Sequence, residues 1–302
     1  MTIVTYMQLY IGTSGYDYPE WKGEFYPQDL KRADFLAYYA TIFNALELNF
    51  SFYGMPVPEK MLSFYERTDG KVVFSVKANQ LLTHKIDGNW RNYAEDFKNA
   101  VKPLLEKGVL GAVLFQFPES FHYTKENRIY LAMLVSAFDG FPVVVEFRHK
   151  EWIKDTVFMG LESYKASLCF CDMPRLKNLP DGTLLDAPFV GNIAYVRLHG
   201  RNAEAWYASE PENGTEPETG SNGSDAGSES GSTGASGGQN GSERYKYDYS
   251  ADELVQFVPV INTAINAGKK VHVYFNNHPC GFGAKNAKLF KDMMQWSNLQ
   301  II

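Results

Sequence analysis

The chain has 302 residues, of which 45% are hydrophobic and 21% are charged, and its formal net charge is −6. Such a composition supports a sizeable hydrophobic core. No stretch approaches the ~18 consecutive apolar residues that a membrane span needs, which excludes a membrane-spanning helix within this sequence. Three cysteines (Cys169, Cys171 and Cys280) are too few for a disulfide framework or a zinc cluster. With no signal-peptide pattern at the start, they predict a cytoplasmic protein.

Eight short apolar segments end in polar side chains, and each is followed by residues with helical spacing. Strands are predicted at 10–15, 45–53, 72–79, 112–119, 143–152, 167–172, 193–201 and 271–278. Helices are predicted at 32–44, 58–67, 93–107, 126–138, 156–164, 251–267 and 284–296. This alternation predicts an α/β fold, a single (β/α)8 TIM-type barrel over residues 1–302. In such a barrel the active-site face lies at the carboxyl ends of the strands.

Residues 209–243, after the seventh strand, have a different composition. They include nine glycines, eight serines and seven acidic residues, with no lysine, arginine, large aliphatic or aromatic residue. Such a segment buries too little apolar surface to become ordered, so it is predicted to be a flexible insertion within the barrel domain. It is either a harmless insertion or a mobile acidic lid. Without it the net charge becomes about +1, which neither demands nor forbids an anionic partner.

Polar side chains collect in the last few residues of the predicted strands. Residues two apart in a strand share a face. This rule groups Glu47 with Asn49, Ser75 with Lys77 and Asn79, Glu146 with Arg148, Arg197 with His199, and Asn276 with His278, and it adds Gln116 and Asp172 singly. Polar groups inside a barrel are costly unless they are paired. The cluster is therefore either a pocket for binding or catalysis or a plug of salt bridges.

The residue types favour an anionic ligand. Lys77, Arg148 and Arg197 would bind a phosphate or a carboxylate. The candidate catalytic residues are Glu47, Glu146, Asp172 and His199, of which the histidine is able to titrate near neutral pH. The other candidate ligand-binding residues are Asn49, His84, Gln116, Asn276 and Asn277. Four aromatic residues of loops or helix entries either stack on a sugar or base or pack in the core: Trp21, Trp152, Trp206 and Tyr249.

No nucleotide-cofactor fingerprint is present, since the chain lacks both GxGxxG after a strand and GxxxxGK[ST]. Glu146, Asp172 and His199 are also able to bind a divalent metal, but the HxH and HExxH spacings are missing. The cofactor therefore stays open, with a divalent metal as one alternative, and no metal ligand is assigned.

Six segments together resemble one known family. They are IGTSGYDYPEWKGEFYP (Ile11–Pro27), ELNFSFY (Glu47–Tyr53), THK (Thr83–Lys85), VEFRHKEW (Val145–Trp152), YVRLHGR (Tyr195–Arg201) and YFNNH (Tyr274–His278). In this order they are similar to the YecE-like family, catalogued as domain of unknown function 72, from about Leu9 to Trp296. Two features depart from that family: the Phe50-Ser51 pair after Asn49, and the length of the 209–243 insertion.

The resemblance implies a TIM-type barrel and no established activity. It also implies that the family's polar residues correspond here to ten positions: Glu47, Asn49, Lys77, His84, Glu146, Arg148, Arg197, His199, Asn276 and Asn277.

Three functions remain open from the sequence. The first is an enzyme with hydrolase-like acid–base chemistry on a phosphorylated or otherwise anionic substrate at the carboxyl end of the barrel. The second is a metal-dependent phosphodiesterase or nucleic-acid-binding protein. The third is a non-catalytic module that binds a ligand or a protein. The oligomeric state is not predicted.

Overall fold

A computed structural model describes residues 8–180, 189–207 and 243–299. Its centre is a closed barrel of eight parallel strands in sequence order, which confirms the predicted TIM-type fold. The strands are β1 (Leu9–Ser14), β2 (Ala45–Leu48), β3 (Val73–Lys77), β4 (Leu110–Gln116), β5 (Val143–Glu146), β6 (Ser167–Asp172), β7 (Ile193–Leu198) and β8 (Lys270–Phe275). β8 pairs with β1 and closes the ring.

Helices lie between consecutive strands through most of the described chain. They are α1 (Phe35–Ile42), α2 (Phe50–Tyr53), α3 (Pro58–Arg67), α4 (Trp90–Glu106), α5 (Lys125–Ala137), α6 (Asp155–Ser163), α7 (Ala251–Val255), α8 (Phe257–Asn266) and α9 (Phe282–Leu299). Several bounds differ from the prediction. The strand predicted at 45–53 ends at Leu48 and gives way to α2. The helix predicted at 251–267 is divided into α7 and α8.

Apolar side chains form two layers because strand residues alternate between two faces. One layer packs between the barrel and the helices and includes Leu46, Phe74 and Val145. The other fills the inside of the barrel and includes Leu114, Cys169 and Tyr195. The inner faces of several strands, such as β2, β4 and β5, therefore run from apolar residues to a polar residue at the carboxyl end, where the predicted site lies.

The hydroxyl of Tyr39, on α1, joins two neighbouring strands. It accepts a hydrogen bond from the backbone N–H of Thr13 at 2.8 Å and donates one to the carbonyl of Ala45 at 2.8 Å. Gly12 makes room for this contact, because a Cβ there would lie 1.9 Å from the Ala45 oxygen and 2.6 Å from the Tyr39 hydroxyl. Because Gly12 has no side chain, β1 and β2 lie close enough for the Tyr39 hydroxyl to form hydrogen bonds with both strands.

The flexible insertion predicted at 209–243 lies outside the described residues except for Glu243, which begins a 3-10 helix at Glu243–Tyr245. Within the described ranges, no helix is long and apolar enough to cross a membrane.

Candidate active site at the carboxyl ends of the strands

Four charged side chains form a continuous chain of ion pairs inside the barrel: Glu47, Arg197, Glu146 and Arg148, here called the charged quartet. Arg197 donates from Nη2 to Glu47 Oε1 at 2.6 Å and from Nη1 to Glu146 Oε2 at 2.7 Å. Arg148 donates from Nε to the other oxygen of Glu146. Two carboxylates thus face two guanidinium groups, as the strand-end pattern predicts.

Glu47 has two further partners that the sequence analysis does not single out. Ser14 donates to Glu47 Oε1 at 2.6 Å, and Tyr195 donates to Oε2 at 2.7 Å. Both are buried. The signal for Tyr195 is its position two residues before Arg197, on the same inner face of β7. With three donors on one fully buried carboxylate, Glu47 is a structural anchor of the quartet.

The surroundings of Glu146 keep it ionised. Burial alone would raise the pKa of this carboxyl, but Arg148, Arg197 and the contact with His199 outweigh burial and hold the pKa well below its usual range. Burial would likewise lower the pKa of Arg197, yet Glu146 and Glu47 hold it well above its usual range. The ion pairs with Arg148 and Arg197 therefore keep Glu146 in its charged form.

His199 is fully buried at the edge of the quartet. Its Nε2 lies 3.2 Å from Arg148 Nη2 and its Nδ1 lies 2.9 Å from the amide of Asn276. A guanidinium only donates, so Nε2 accepts from Arg148 and the ring proton is on Nδ1. The Asn276 amide is then oriented with its oxygen toward this N–H, an assignment that follows from the hydrogen-bond network.

The sequence predicts that His199 titrates near neutral pH, and the structure corrects this. Burial, followed by the positive charges of Arg148 and Arg197, lowers the pKa of His199 to about 3 and outweighs the attraction of Glu146. The imidazole is consequently neutral at physiological pH and has its Nε2 lone pair directed at Arg148.

We expect the His199 imidazole to show no protonation step between pH 5 and pH 8. Replacing Arg148 with glutamine removes the positive charge that lowers the pKa of His199 more than Arg197 does, so this pKa should then rise toward its ordinary value. Nitrogen-15 chemical shifts of the imidazole, followed against pH in wild type and Arg148→Gln, measure both effects. A wild-type midpoint near pH 6.5, or no upward shift in the variant, would contradict this view of the site.

Asp172 does not join the quartet, in contrast to the prediction. Both oxygens of its carboxylate accept from Arg201, at 2.8–3.1 Å, and Oδ2 also accepts from the Tyr249 hydroxyl at 2.6 Å. The physical reason is strand alternation: Cys171 points into the barrel, so the next residue points outward. Asp172 therefore forms a structural ion pair with Arg201. Its carboxylate does not join Glu146 and His199 in the metal site that the sequence left open.

Lys77 and His84 meet on the ring of Phe52. Lys77 Nζ lies 4.1 Å from the ring centroid, and the His84 ring packs edge-on at 4.8 Å. His84 Nδ1 is 2.9 Å from the Thr83 hydroxyl. Lys77 is 6% exposed and supplies a further positive charge at the end of β3. These two residues thus form a second group beside the quartet.

The amide residues divide into two groups. Gln116 and Asn276 are nearly buried on the inner face, and Asn49 Oδ1 is buried without a hydrogen-bond partner in the described chain. Asn277 points the other way: its Nδ2 donates to the carbonyl of Tyr247 at 2.8 Å and to Asn286 Oδ1 at 2.7 Å. Asn277 therefore joins the end of β8 to α9 and its neighbouring loop.

Two aromatic rings stand beside Arg148 and His199. The Arg148 guanidinium lies 5.8 Å from the Trp206 ring centroid, and the His199 ring lies 6.4 Å from Trp206 and 5.9 Å from Tyr245. The other predicted loop aromatics are structural. Trp21 Nε1 donates to the carbonyl of His278, and Trp152 Nε1 donates to that of Phe121.

Metal ligation was an alternative for this site. Within the described residues, Glu146 converges with Cys169 and Cys171, and a separate group consists of His122, His149 and Glu151. A cation beside Glu146 would meet the two guanidinium groups that already neutralise this carboxylate. The geometry around Glu146 thus favours an anion over a metal ion.

Comparison with known proteins gives consistent matches along the chain. The family model described as "Protein of unknown function DUF72" matches residues 10–301. The UPF0759 protein YunF of Bacillus subtilis is 28% identical over 297 residues, which cover 95% of this chain and 94% of that protein. A crystal structure of a DUF72 family protein from Thermotoga maritima, TM1631, is 29% identical, with a TM-score of 0.75 over 95% of this chain and 99% of that one. The DUF72 family protein EF0366 from Enterococcus faecalis has a TM-score of 0.76 at 20% identity, covering 95% of both chains.

Proposed function

This chain belongs to the DUF72 family of proteins of unknown function, as the resemblance in its sequence predicts, and we propose that it is an enzyme acting on a small anionic substrate at the carboxyl end of the barrel. The substrate class is a phosphorylated or carboxylate-bearing small molecule, and the chemistry is proton transfer of the kind that hydrolases use.

The observation that carries this proposal is the position of Arg148. Its side chain is 11% exposed, whereas Glu47 and Glu146 are fully buried and Arg197 is 2% exposed. Arg148 uses Nε for Glu146 and Nη2 for His199, and Nη1 has no hydrogen-bond partner among the described residues. It is therefore the member of the quartet placed to bind a ligand from outside. A guanidinium suits the planar oxygens of a carboxylate or phosphate.

The charge balance supports the same ligand class. The quartet is neutral as a set, His199 is neutral, and Lys77 adds one positive charge. A site with an excess of positive charge and a partly exposed arginine attracts anions. Trp206 packs beside Arg148 and Tyr245 packs beside His199; both rings are nearly buried and give this end of the site an apolar border.

His199 is the group that transfers a proton in this proposal. Its Nε2 lone pair accepts from Arg148 in the structure described here, and the Asn276 amide holds the ring in one tautomer. When a substrate anion takes the Nη2 hydrogen bond of Arg148, it frees Nε2 and its negative charge offsets the guanidinium charges that lower the pKa of His199, so that Nε2 becomes available as a general base. Glu146 then fixes the position of Arg148 without itself exchanging a proton, because its pKa is held low.

The test starts with a thermal-shift screen of phosphorylated sugars, nucleotides and short oligonucleotides, each with and without Mn²⁺, followed by product detection for every stabilising compound. We expect stabilisation by a small anion without metal. Arg148→Gln should weaken its binding by about tenfold or more, since charge-assisted hydrogen bonds contribute about 1.5–3 kcal/mol. His199→Gln should retain binding and lower turnover by about 10²-fold or more.

Two matched variants make the result specific. Arg148→Lys retains the charge but not the planar fork, so it should lie between wild type and Arg148→Gln. Arg91→Gln removes an exposed arginine that contacts Trp90 and Met133, and it should change nothing. A ligand that binds at Arg148 and is recovered unchanged would identify a non-catalytic binding module. Stabilisation that requires Mn²⁺ and an oligonucleotide would favour the phosphodiesterase. If no compound in the panel raises the melting temperature, the result would favour a structural plug of salt bridges.

A further inference from the structure

Two histidines and a glutamate outside the quartet lie together on neighbouring loops at the carboxyl face of the barrel: His122, His149 and Glu151, here called the His–His–Glu cluster. His122 lies between β4 and α5, and the other two lie between β5 and α6. One imidazole nitrogen or carboxylate oxygen of each residue lies within 4.8 Å of those of the other two. In the described part of the chain, the other group with this property is that of Glu146, beside the quartet.

The distances within the cluster are too long for charge-assisted hydrogen bonds and fit metal coordination. Glu151 Oε2 lies 3.5 Å from Nδ1 of His122 and 3.5 Å from Nδ1 of His149. An imidazole N–H that donated to this carboxylate would place its nitrogen at about 2.7–2.9 Å. Two ligand atoms of a tetrahedral zinc ion, each about 2.0–2.2 Å from the metal, lie about 3.3–3.6 Å apart. This oxygen is therefore at the distance of a fellow ligand from both nitrogens.

The hydrogen bonding of His149 leaves a lone pair on the nitrogen that faces Glu151. Its Nδ1 accepts from the backbone N–H of Glu151 at 3.3 Å, so in the neutral ring the proton is on Nε2. A metal ion binds only a ring nitrogen without a proton, and this hydrogen bond already selects that form of Nδ1. The ion would replace a long hydrogen bond with a coordination bond.

The two loops that carry the cluster are fixed to each other. Phe121 and Trp152, which adjoin His122 and Glu151 in the chain, stack with 5.1 Å between their ring centroids and 4° between their planes. Trp152 Nε1 also donates to the carbonyl of Phe121 at 2.6 Å. The backbone N–H of Tyr123 donates to Glu151 Oε2 at 3.4 Å. Little ordering of the chain would therefore accompany the binding of an ion.

The cluster is open to solvent on one side. The side chains of His122 and Glu151 are 55% and 48% exposed, whereas that of His149 is 8% exposed. The ammonium group of the adjoining Lys150 is directed elsewhere and donates to the carbonyl of Lys177 at 2.6 Å. An ion can therefore reach the cluster from solvent, and three protein ligands leave the fourth tetrahedral position to water.

The donor atoms determine the class of metal. Imidazole nitrogens suit Zn²⁺ and its transition-metal neighbours, whereas Mg²⁺ and Ca²⁺ prefer sites made of oxygen. We infer that the His–His–Glu cluster is a binding site for a divalent transition-metal ion, Zn²⁺ above all, with Nδ1 of both histidines and the Glu151 carboxylate as its ligands. The ion would join the loop after β4 to the loop after β5. This inference does not depend on the function proposed for the quartet.

Isothermal titration of the full chain with ZnCl₂, after removal of metal with EDTA, tests the inference. We expect one tight site for Zn²⁺, with which Mg²⁺ does not compete. His122→Ala removes a half-exposed ligand, and Glu151→Gln retains an oxygen for the N–H of Tyr123 but loses the charge. Each variant should weaken Zn²⁺ binding by about 10²-fold or more, because loss of even an outer partner of a ligand costs about 10–100-fold.

Two control variants make the assignment specific. Glu126→Gln removes an exposed carboxylate from the first turn of α5 and should leave the affinity for Zn²⁺ unchanged. Cys280→Ser removes an exposed thiol, a group that itself binds zinc, and should also leave the affinity unchanged. With Co²⁺ in place of Zn²⁺, wild type should show the intense visible bands of a four-coordinate ion and no thiolate charge-transfer band. The melting temperature of each metal-free variant shows whether its fold is retained.

Arg148→Gln separates this inference from the function proposed for the quartet, because the variant should lose the anion and still bind Zn²⁺. Loss of Zn²⁺ binding in Arg148→Gln would place the ion at the quartet and overturn the inference. An affinity that His122→Ala and Glu151→Gln leave unchanged, or that Cys280→Ser abolishes, would overturn it as well. No binding of Zn²⁺ by wild type would mean that the cluster is only an ion pair between imidazole and carboxylate.

Discussion

Replacing Arg197 with methionine is expected to lower the free energy of unfolding by about 3–5 kcal/mol. The guanidinium is 2% exposed and is hydrogen-bonded to both Glu47 and Glu146, which are fully buried. Methionine fills a similar volume but leaves Glu47 with only neutral donors and Glu146 with Arg148 alone. A buried carboxylate without its counter-ion costs far more than the salt bridge contributes while intact. Urea unfolding, monitored by circular dichroism, measures the change.

Two controls separate loss of charge pairing from loss of packing. Arg91→Met makes the same substitution at an exposed position and should alter stability by less than about 0.5 kcal/mol. Adding Glu47→Gln to Arg197→Met removes the carboxylate that is left without a counter-ion and should recover part of the lost stability. A double variant that is less stable than Arg197→Met alone would mean that packing, rather than buried charge, determines the effect.

Replacing Gly12 with alanine is expected to destabilise the protein by an amount on the order of 4 kcal/mol. The new Cβ would lie 1.9 Å from the backbone oxygen of Ala45, and no change of rotamer relieves a contact between two backbone-fixed atoms. β1 must move away from β2, which breaks the hydrogen bonds of the Tyr39 hydroxyl to Thr13 and Ala45. Thermal and urea unfolding measure the loss.

Gly160 offers a matched control for Gly12→Ala. It lies within α6, and a Cβ there would have no heavy atom within 4 Å. Gly160→Ala should therefore stabilise the protein by about 0.5–1 kcal/mol, as expected for alanine in place of glycine in a helix. Similar stabilities for Gly12→Ala and Gly160→Ala would contradict the expected collision between a Cβ at position 12 and the Ala45 oxygen.

The sequence predicts the fold well because the evidence for it is local and repeated. Each strand appears as an apolar run with a polar end, and eight of them in order leave few topologies other than a closed barrel. Boundaries are less certain for a physical reason. β2 ends at Leu48 because Asn49 adopts a helical backbone conformation and α2 follows, whereas Phe50–Tyr53 have the aromatic composition of a strand.

Strand alternation explains both the success and the failure of the site prediction. Glu47, Glu146, Arg148 and Arg197 share inner faces, and the structure brings them together. Asp172 follows Cys171 directly and points outward, so its place at the strand end is misleading. The pKa of His199 was not predictable, since it depends on burial and on Arg148, which is 51 residues away in the chain.

The ion pairs of the quartet also make the two halves of the barrel depend on each other. Glu47 belongs to the first four strands, whereas its counter-ion Arg197 is 150 residues later, in the last four. The second half alone contributes one carboxylate, Glu146, and two guanidinium groups. The first half expressed by itself would therefore bury Glu47 without a counter-ion. The second half by itself would have one guanidinium more than it has carboxylates to pair with it. Unlike barrels that can be divided into self-sufficient halves, this one is electrostatically complete only as a single closed ring.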